Sequence, residues 1–267
     1  MKGNTDALDD LLAAAEAASD AAGEVIRPLF RARLAVEAKG DFSPVTVADR
    51  QAEQAIRAVL ERASPGTAIL GEEFGQDQPA RGLCWVIDPI DGTRAFITGR
   101  PTFGTLLALL DGDQPILGII DQPVTGERWI GAAGRRTIFR GPFGGAVGCR
   151  RCPSLQTAEL SCTSPEMLGE YRRAWNELAG SVRRVSWGGD CYAYGLLALG
   201  SIDLIAEADL KLWDWAALVP VVEGAGGRVT DWRGARLRRE GDGRVLAVGD
   251  PALLGPAVRK LQNCMQK

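Results

Sequence analysis

Apolar residues recur at helical spacing near the start of the chain. Leu8, Leu11, Leu12 and Ala15, then Val25, Ile26 and Leu29, predict a helix or a broken pair over residues 6–35. Pro28 predicts a kink or break near its end. A second periodic run, Ala52, Ile56, Val59 and Leu60, predicts a helix opened by the capping pair Thr46 and Asp49 and stopped by Ser64-Pro65-Gly66. Residues 68–70 and 83–87 read as short apolar strands. The first runs into Gly71-Glu72-Glu73 and the second into Asp88. Residues 105–110 and 116–120 flank Asp111-Gly112-Asp113, a hairpin signal, and residues 128–131 predict a further strand.

Residues 134–148, rich in Gly and Arg, read as loops and irregular strand. They mark the border between an N-terminal half, residues 1–140, and a C-terminal half, residues 141–267, of one compact unit. In the second half, strands at 159–162, 182–186, 202–206 and 245–248 alternate with helices at 165–178, 191–199, 213–223 and 252–261. Such alternation favours a layered α/β arrangement.

Composition narrows the chemistry. With 46% hydrophobic and 24% charged residues over 267 positions, the chain can bury a substantial core. Its net charge of −3 argues against a nucleic-acid partner, because phosphate-backbone affinity needs an excess of Lys and Arg. There is no histidine. Ser-His-Asp and Cys-His catalysis, His-ligated zinc and His general bases are excluded together, so any metal must be held by carboxylates or thiolates. Asp6, Asp9 and Asp10 stand where a signal peptide would be basic, and no apolar run approaches membrane-spanning length. Six scattered cysteines do not make a disulfide scaffold. The expectation is a reduced, cytoplasmic protein with no membrane partner.

The string Asp88-Pro89-Ile90-Asp91-Gly92-Thr93 carries the strongest chemical signal. An apolar strand delivers Asp88 to its end, and a turn forced by Pro89 would bring Asp91 back beside it. Two carboxylates and the Ile90 carbonyl would then form an all-oxygen set suited to a hard cation such as Mg²⁺. Gly92 permits close backbone approach, and the Gly92 and Thr93 amides can face a phosphate. Glu72 stands at another strand end, Asp214 opens a helix as a candidate N-cap, and Asp49 pairs with Thr46. Each acid taken alone is an ordinary turn or cap residue. Together, in a chain without histidine, they are most simply explained as a multi-carboxylate metal site.

Three separated motifs carry a resemblance: Gly71-Glu72-Glu73, the run from Trp85 to Thr93, and Trp213-Asp214 followed by Glu223 to Gly227. Their order is that of the inositol monophosphatase family of Mg²⁺-dependent, lithium-sensitive phosphatases, which the chain resembles over residues 39–231. Within the family, the run from Gly92 to Gly104 and Gly189-Asp190-Cys191-Tyr192-Ala193-Tyr194 resemble the histidinol-phosphate phosphatase branch. Inositol phosphatases usually have Asn where this chain has Ala95. Nucleotide 3′-phosphatases share a basic residue at the position of Arg94, which therefore does not separate the branches.

The resemblance implies a layered αβαβα sandwich of the inositol monophosphatase/fructose bisphosphatase type, and a homodimer. It implies that Glu72, Asp88 and the Ile90 carbonyl hold one Mg²⁺, that Asp88, Asp91 and Asp214 hold a second, and that Glu72 touches a third through water. Asp49 and Thr93 would orient the attacking water, and the Gly92 and Thr93 amides would hold the phosphate. Lys39 would lie near the metal's water network, and Gly189, Asp190 and Glu207 would face the alcohol part of the substrate. The implied reaction is hydrolysis of histidinol phosphate in histidine biosynthesis. Alternatives are an inositol-1-phosphate or nucleotide 3′-phosphate substrate, or a non-catalytic ligand-binding or regulatory protein on the same fold. Retention of the metal acids and Thr93 favours the enzyme.

Other signals are set aside. Cys149-Arg150-Arg151-Cys152 has no second pair and no histidine to complete a metal site, so structural thiols are the better reading. The arginine pairs are balanced by acids and read as solvated faces. Trp187, Tyr192 and Tyr194 are candidates to stack on an imidazole ring, with core packing equally expected.

Overall fold

The leading apolar stripe forms one helix, α1 (Lys2–Leu29), and not a broken pair. Pro28 falls in its last turn, and beyond it the Phe30 N–H still donates to the Ile26 carbonyl at 3.0 Å. This is a computed structural model describing residues 2–32, 36–38, 44–77 and 82–262. Lys39 lies outside the described residues. A short antiparallel pair, β1 (Val36–Ala38) and β2 (Pro44–Thr46), precedes α2 (Val47–Ala63), which carries Asp49 in its first turn.

Among the described residues, two further sheets follow. The large one contains β3 (Ala68–Gly71), β4 (Gly75–Gln76), β5 (Leu83–Asp91), β6 (Gly104–Asp111), β7 (Gln114–Gln122), β8 (Glu127–Ala132) and β9 (Ile138–Arg140), in the order β4-β3-β5-β6-β7-β8-β9. Between β5 and β6 sits one turn and a half of helix, α3 (Thr93–Ile97). The smaller sheet contains β10 (Glu159–Cys162), β11 (Arg184–Trp187), β12 (Leu204–Glu207), β13 (Arg228–Thr230) and β14 (Val245–Val248), in the order β11-β10-β12-β14-β13. Its helices are α4 (Arg172–Ala179), α5 (Asp190–Ala198), α6 (Leu212–Trp215), α7 (Leu218–Gly224) and α8 (Leu254–Gln262).

Strand alternation sorts the core into three clusters. Trp85 and Ile87 of β5 face Ile26 of α1 and Ile56 and Leu60 of α2. Val86, on the other face, joins Leu106 and Trp129 against Leu197 of α5, Leu218 and Val221 of α7, and Ile205 of β12. The far face of the small sheet, Leu160, Leu204 and Leu246, is covered by Trp175 and Leu178 of α4 and Leu261 of α8. The layers therefore run αβαβα. β5 is apolar on both faces because it is covered on both.

The structure corrects the element pattern in three places. Residues 165–178 split into a 3₁₀ segment, Pro165–Tyr171, and α4, because Gly169 is non-helical at φ 45°, ψ −128°. Residues 213–223 split into α6 and α7, with Pro220 in the first turn of α7, where an amide would have no intrahelical partner. The third correction bears on function. Asp88-Pro89-Ile90-Asp91 is not a turn: β5 continues through it as a β-bulge. Pairing shifts from Asp88 opposite Leu106 to Asp91 opposite Gly104. Pro89 lacks a donor and so suits the break in the ladder, and the Thr105 hydroxyl donates to its carbonyl at 2.8 Å.

Candidate active site

The cleft forms where carboxyl ends of parallel strands from both sheets meet, the usual place for ligands in α/β layers. In the large sheet β3 and β5 run parallel; Glu72 follows the first, and Asp88 and Asp91 lie at the end of the second. In the small sheet β10 runs parallel to β11 and β12; Thr163 and Ser164 follow β10, Gly188 follows β11, and Glu207 ends β12. All of these residues line one cleft of about 390 Å³, together with Ile90, Gly92, Thr93, Asp190, Tyr194 and Asp214. A larger groove of about 550 Å³, between α7 and the end of the β7–β8 strand pair, contains none of this acidic group.

Each of three acids is aimed by one backbone amide. Asp88, 2% exposed, accepts from the Ile90 N–H at 3.0 Å across the bulge. Asp91 accepts from the Cys191 N–H at 2.6 Å, 100 residues further along the chain. Asp214 is the third residue of α6 and not its cap, and it reaches back to accept from the Lys211 N–H at 2.7 Å. So held, these carboxylates bring one oxygen each to within 4.8 Å of the others.

That convergence is electrostatically unfavourable by itself. Burial, reinforced by Glu72, Asp91, Asp214 and Asp49, pushes the Asp88 carboxyl well above the usual range. Burial, with Asp190 and Asp214, does the same to Asp91 against the pull of Cys191. Burial lifts Asp214 to about 7; the Lys211 amide opposes this, while Glu72 and Glu207 add to it. A buried, all-oxygen donor set short of positive charge fits a hard divalent cation, which would reverse the sign of these shifts. Ile90 also lines the cleft, and its carbonyl is the atom expected to face a cation. That carbonyl accepts from the Thr93 hydroxyl at 3.2 Å and has a second lone pair to offer.

Other expected residues divide by position. Glu72 lines the cleft, and its charge reaches both Asp88 and Asp214. Asp49 is 1% exposed and does not line it, though its charge reaches Asp88. Gly92 sits in the left-handed region at φ 86°, immediately before α3. Asp190 opens α5 at φ 44° and is lifted to about 7 by burial and Glu207, with Arg100 and Arg94 pulling it down. Glu207 is buried and doubly bonded, accepting from the Thr163 N–H at 2.7 Å and the Tyr194 hydroxyl at 2.8 Å. Gly189 lies outside the lining; a Cβ there would meet that of Ala193 at 2.6 Å, so packing accounts for this glycine.

Of the three aromatics singled out in the sequence, Tyr194 alone lines the cleft. Tyr192 stands edge-on to Trp129 and donates to Glu127 at 2.6 Å, while the Trp187 ring lies tilted by 35° against Trp175 with centroids 4.8 Å apart. The cleft also contains Thr163, Ser164, Met167 and Arg100, which the sequence reading leaves out. Their signal was position: Thr163 and Ser164 directly follow a parallel strand.

The model of the inositol monophosphatase family matches residues 7–266. The chain is 45% identical to the bifunctional phosphatase IMPL2, chloroplastic, of Arabidopsis thaliana over 96% of its length and 76% of the relative's. It is 39% identical to a histidinol-phosphatase of Mycobacterium tuberculosis over 85% of its length and 88% of the relative's. An inositol monophosphatase structure from Zymomonas mobilis superposes with a TM-score of 0.87 at 45% identity, covering 95% of this chain and 98% of that one. Motifs, layers and near-complete coverage agree: the chain belongs to the inositol monophosphatase family and is a phosphatase.

Proposed function

We propose that the protein is a Mg²⁺-dependent histidinol-phosphate phosphatase. One observation carries the choice of substrate. The Asp190 side chain lies directly over Gly92 in the cleft, beside the amides that would hold the phosphate. A carboxylate at that place suits an alcohol bearing an ammonium group, as histidinol phosphate does near neutral pH, better than one bearing only hydroxyls. The 39% identity to a histidinol-phosphatase supports the same choice.

Glu72, Asp88 and the Ile90 carbonyl would hold one cation, and Asp88, Asp91 and Asp214 a second. When bound, Mg²⁺ supplies neutralisation of phosphate charge and acidification of water. The chain's own residues supply the rest. The Gly92 and Thr93 amides hold the phosphate, and the Thr93 hydroxyl orients the water on the side away from the leaving alcohol, with Asp49 acting on it from behind the cleft lining. Water oxygen bonds to phosphorus, the bond from phosphorus to the alcohol oxygen breaks, and that oxygen takes the proton the water gives up. No His, Ser or Cys nucleophile is required. The same reading carries inhibition by lithium at high Mg²⁺, a homodimer and a cytoplasmic setting; among the described residues, no helix is long and apolar enough to cross a membrane.

Phosphate release with Mg²⁺ tests the reading, comparing histidinol phosphate, inositol 1-phosphate, a nucleoside 3′,5′-bisphosphate and fructose 1,6-bisphosphate. Highest kcat/KM on histidinol phosphate is expected. Preference for inositol 1-phosphate or the bisphosphates would replace the substrate and leave the phosphatase.

A further inference from the structure

Glu53 is fully buried in α2, yet it is a carboxylate. Its partners explain why. It accepts from the Glu73 N–H at 2.8 Å, from the Phe74 N–H at 3.4 Å and from Arg57 Nε at 2.8 Å. Arg57 in turn donates through Nη2 to the Gly75 carbonyl at 2.6 Å and stands 3.8 Å from Asp77. Asp77 accepts from the Ile69 N–H at 3.0 Å. The turn between β3 and β4, which presents Glu72 to the cleft, is thus gripped from behind by one charged network on α2.

Gly71 adds an independent observation. Its φ is not in the left-handed region, so backbone freedom does not explain the glycine there. A Cβ at this position would lie 1.9 Å from Glu53 Oε1 and 2.3 Å from Glu53 Cδ. The strand end is stripped of a side chain at the place the carboxylate occupies. Burying a carboxylate is costly, and an apolar residue of similar volume would serve packing alone at least as well. What an apolar residue lacks is the ability to fix two successive amides.

We propose that Glu53 is a positioning residue for the cation site. By accepting from the Glu73 and Phe74 amides, it holds the turn so that Glu72 faces Asp88 and Asp214. In this way it sets the affinity for the divalent ion without touching it. The same helix carries Asp49 in its first turn, so α2 aligns both acids against the bulge of β5. The inference rests on the reading of Glu72 as a cation ligand.

The test is Mg²⁺ binding to the whole protein by isothermal titration calorimetry, with thermal unfolding in EDTA measured in parallel. Glu53→Gln keeps the shape but offers one acceptor oxygen and sets an NH₂ against the other amide. Loss of a group that orients a ligand is expected to weaken Mg²⁺ binding by about tenfold or more. Glu53→Asp, which keeps the charge, should recover part of that loss. Asp203→Asn, remote from the cleft, should lower the unfolding temperature in EDTA without moving Mg²⁺ affinity. Should Glu53→Gln fail to fold, Arg57→Gln decides in its place, a weakened Mg²⁺ affinity supporting the inference and an unchanged one overturning it. Glu72→Gln separates the two readings. If Glu72→Gln weakens Mg²⁺ binding and folded Glu53→Gln does not, the positioning role is wrong and the ligand reading stands. If Glu72→Gln has no effect, the ligand reading itself fails.

Discussion

The Asp190 side chain occupies the space a side chain on Gly92 would need: a Cβ on Gly92 would stand 2.8 Å from Asp190 Cγ and 3.1 Å from its Oδ2. Two motifs far apart in sequence are packed into each other at the floor of the cleft. The neighbouring pair tightens the joint, since the Cys191 N–H donates to Asp91 at 2.6 Å. The residue proposed to select the alcohol and the residues proposed to hold the phosphate are therefore one packed unit.

Asp190→Asn tests selection directly. Asn tolerates positive φ well, so the backbone at φ 44° should be retained. Losing one partner of a partly buried charge pair costs about 2–5 kcal/mol, so kcat/KM for histidinol phosphate should fall roughly thirtyfold or more. Turnover of an aryl phosphate lacking the amine should hardly change. An equal fall on both substrates would make Asp190 structural, and no fall on either would favour an inositol or nucleotide phosphatase.

Gly92→Ala should damage the site irrespective of substrate. The left-handed conformation costs a non-glycine residue about 1–2 kcal/mol, and the added methyl group must also displace Asp190. Lower thermal stability together with lost turnover of both histidinol phosphate and the aryl phosphate is the expected result. Wild-type turnover of both would show that the Gly92 backbone does not need this conformation.

Asp88→Asn removes the carboxylate that the proposed function assigns to both cations. Turnover should drop by at least about a hundredfold, as when other charge-stabilising groups are removed. Circular dichroism should still report a folded chain, since burial and like charges already disfavour the ionised Asp88. EDTA should silence the wild-type enzyme, and Mg²⁺ should restore it. Near-normal turnover of Asp88→Asn at saturating Mg²⁺ would remove the basis for the two-cation site.

Asp203 provides a pH test independent of the cleft. Burial pushes its carboxyl up, but the bidentate Arg150 at 2.7 and 2.5 Å and the Glu159 N–H at 2.8 Å prevail and lower it. For a carboxylate with a depressed folded value, the stabilisation is present above the unfolded value and lost as pH falls through the folded one. Asp203→Asn should therefore cost about 1–2 kcal/mol at pH 7, discounted because Arg150 is half-exposed. The wild-type advantage should shrink below about pH 4. Urea unfolding at pH 7 and pH 3 reads both; an advantage independent of pH would show that the charge of Asp203 is not what stabilises.

Local chemistry made much of this protein legible from sequence. The apolar strands that run into Glu72 and through Asp88, the hairpin around Gly112 and the helix carrying Asp49 follow from periodicities and turn residues that act within a few positions. The absence of histidine left only carboxylates and thiolates for a metal, and the motif order pointed to the family.

What the chain order could not carry is decided by long-range pairing. Pro89 reads as a turn in isolation, yet β6 pairs on both sides of it and converts the turn into a bulge. Asp214 reads as a cap, and only its approach to Asp88 and Asp91 makes it one of three converging acids. Gly189 and Asp190 are adjacent in one motif, but the packing of α5 places Asp190 over Gly92 and leaves Gly189 outside the cleft. Nothing in the sequence singles out Glu53; only the fold shows that Gly71 makes room for it beside the Glu73 and Phe74 amides. Residue types and local spacing determined which groups could do the chemistry. Which of them converge was decided by sheet register and layer packing, because those contacts join residues whose separation leaves no periodic trace in the sequence.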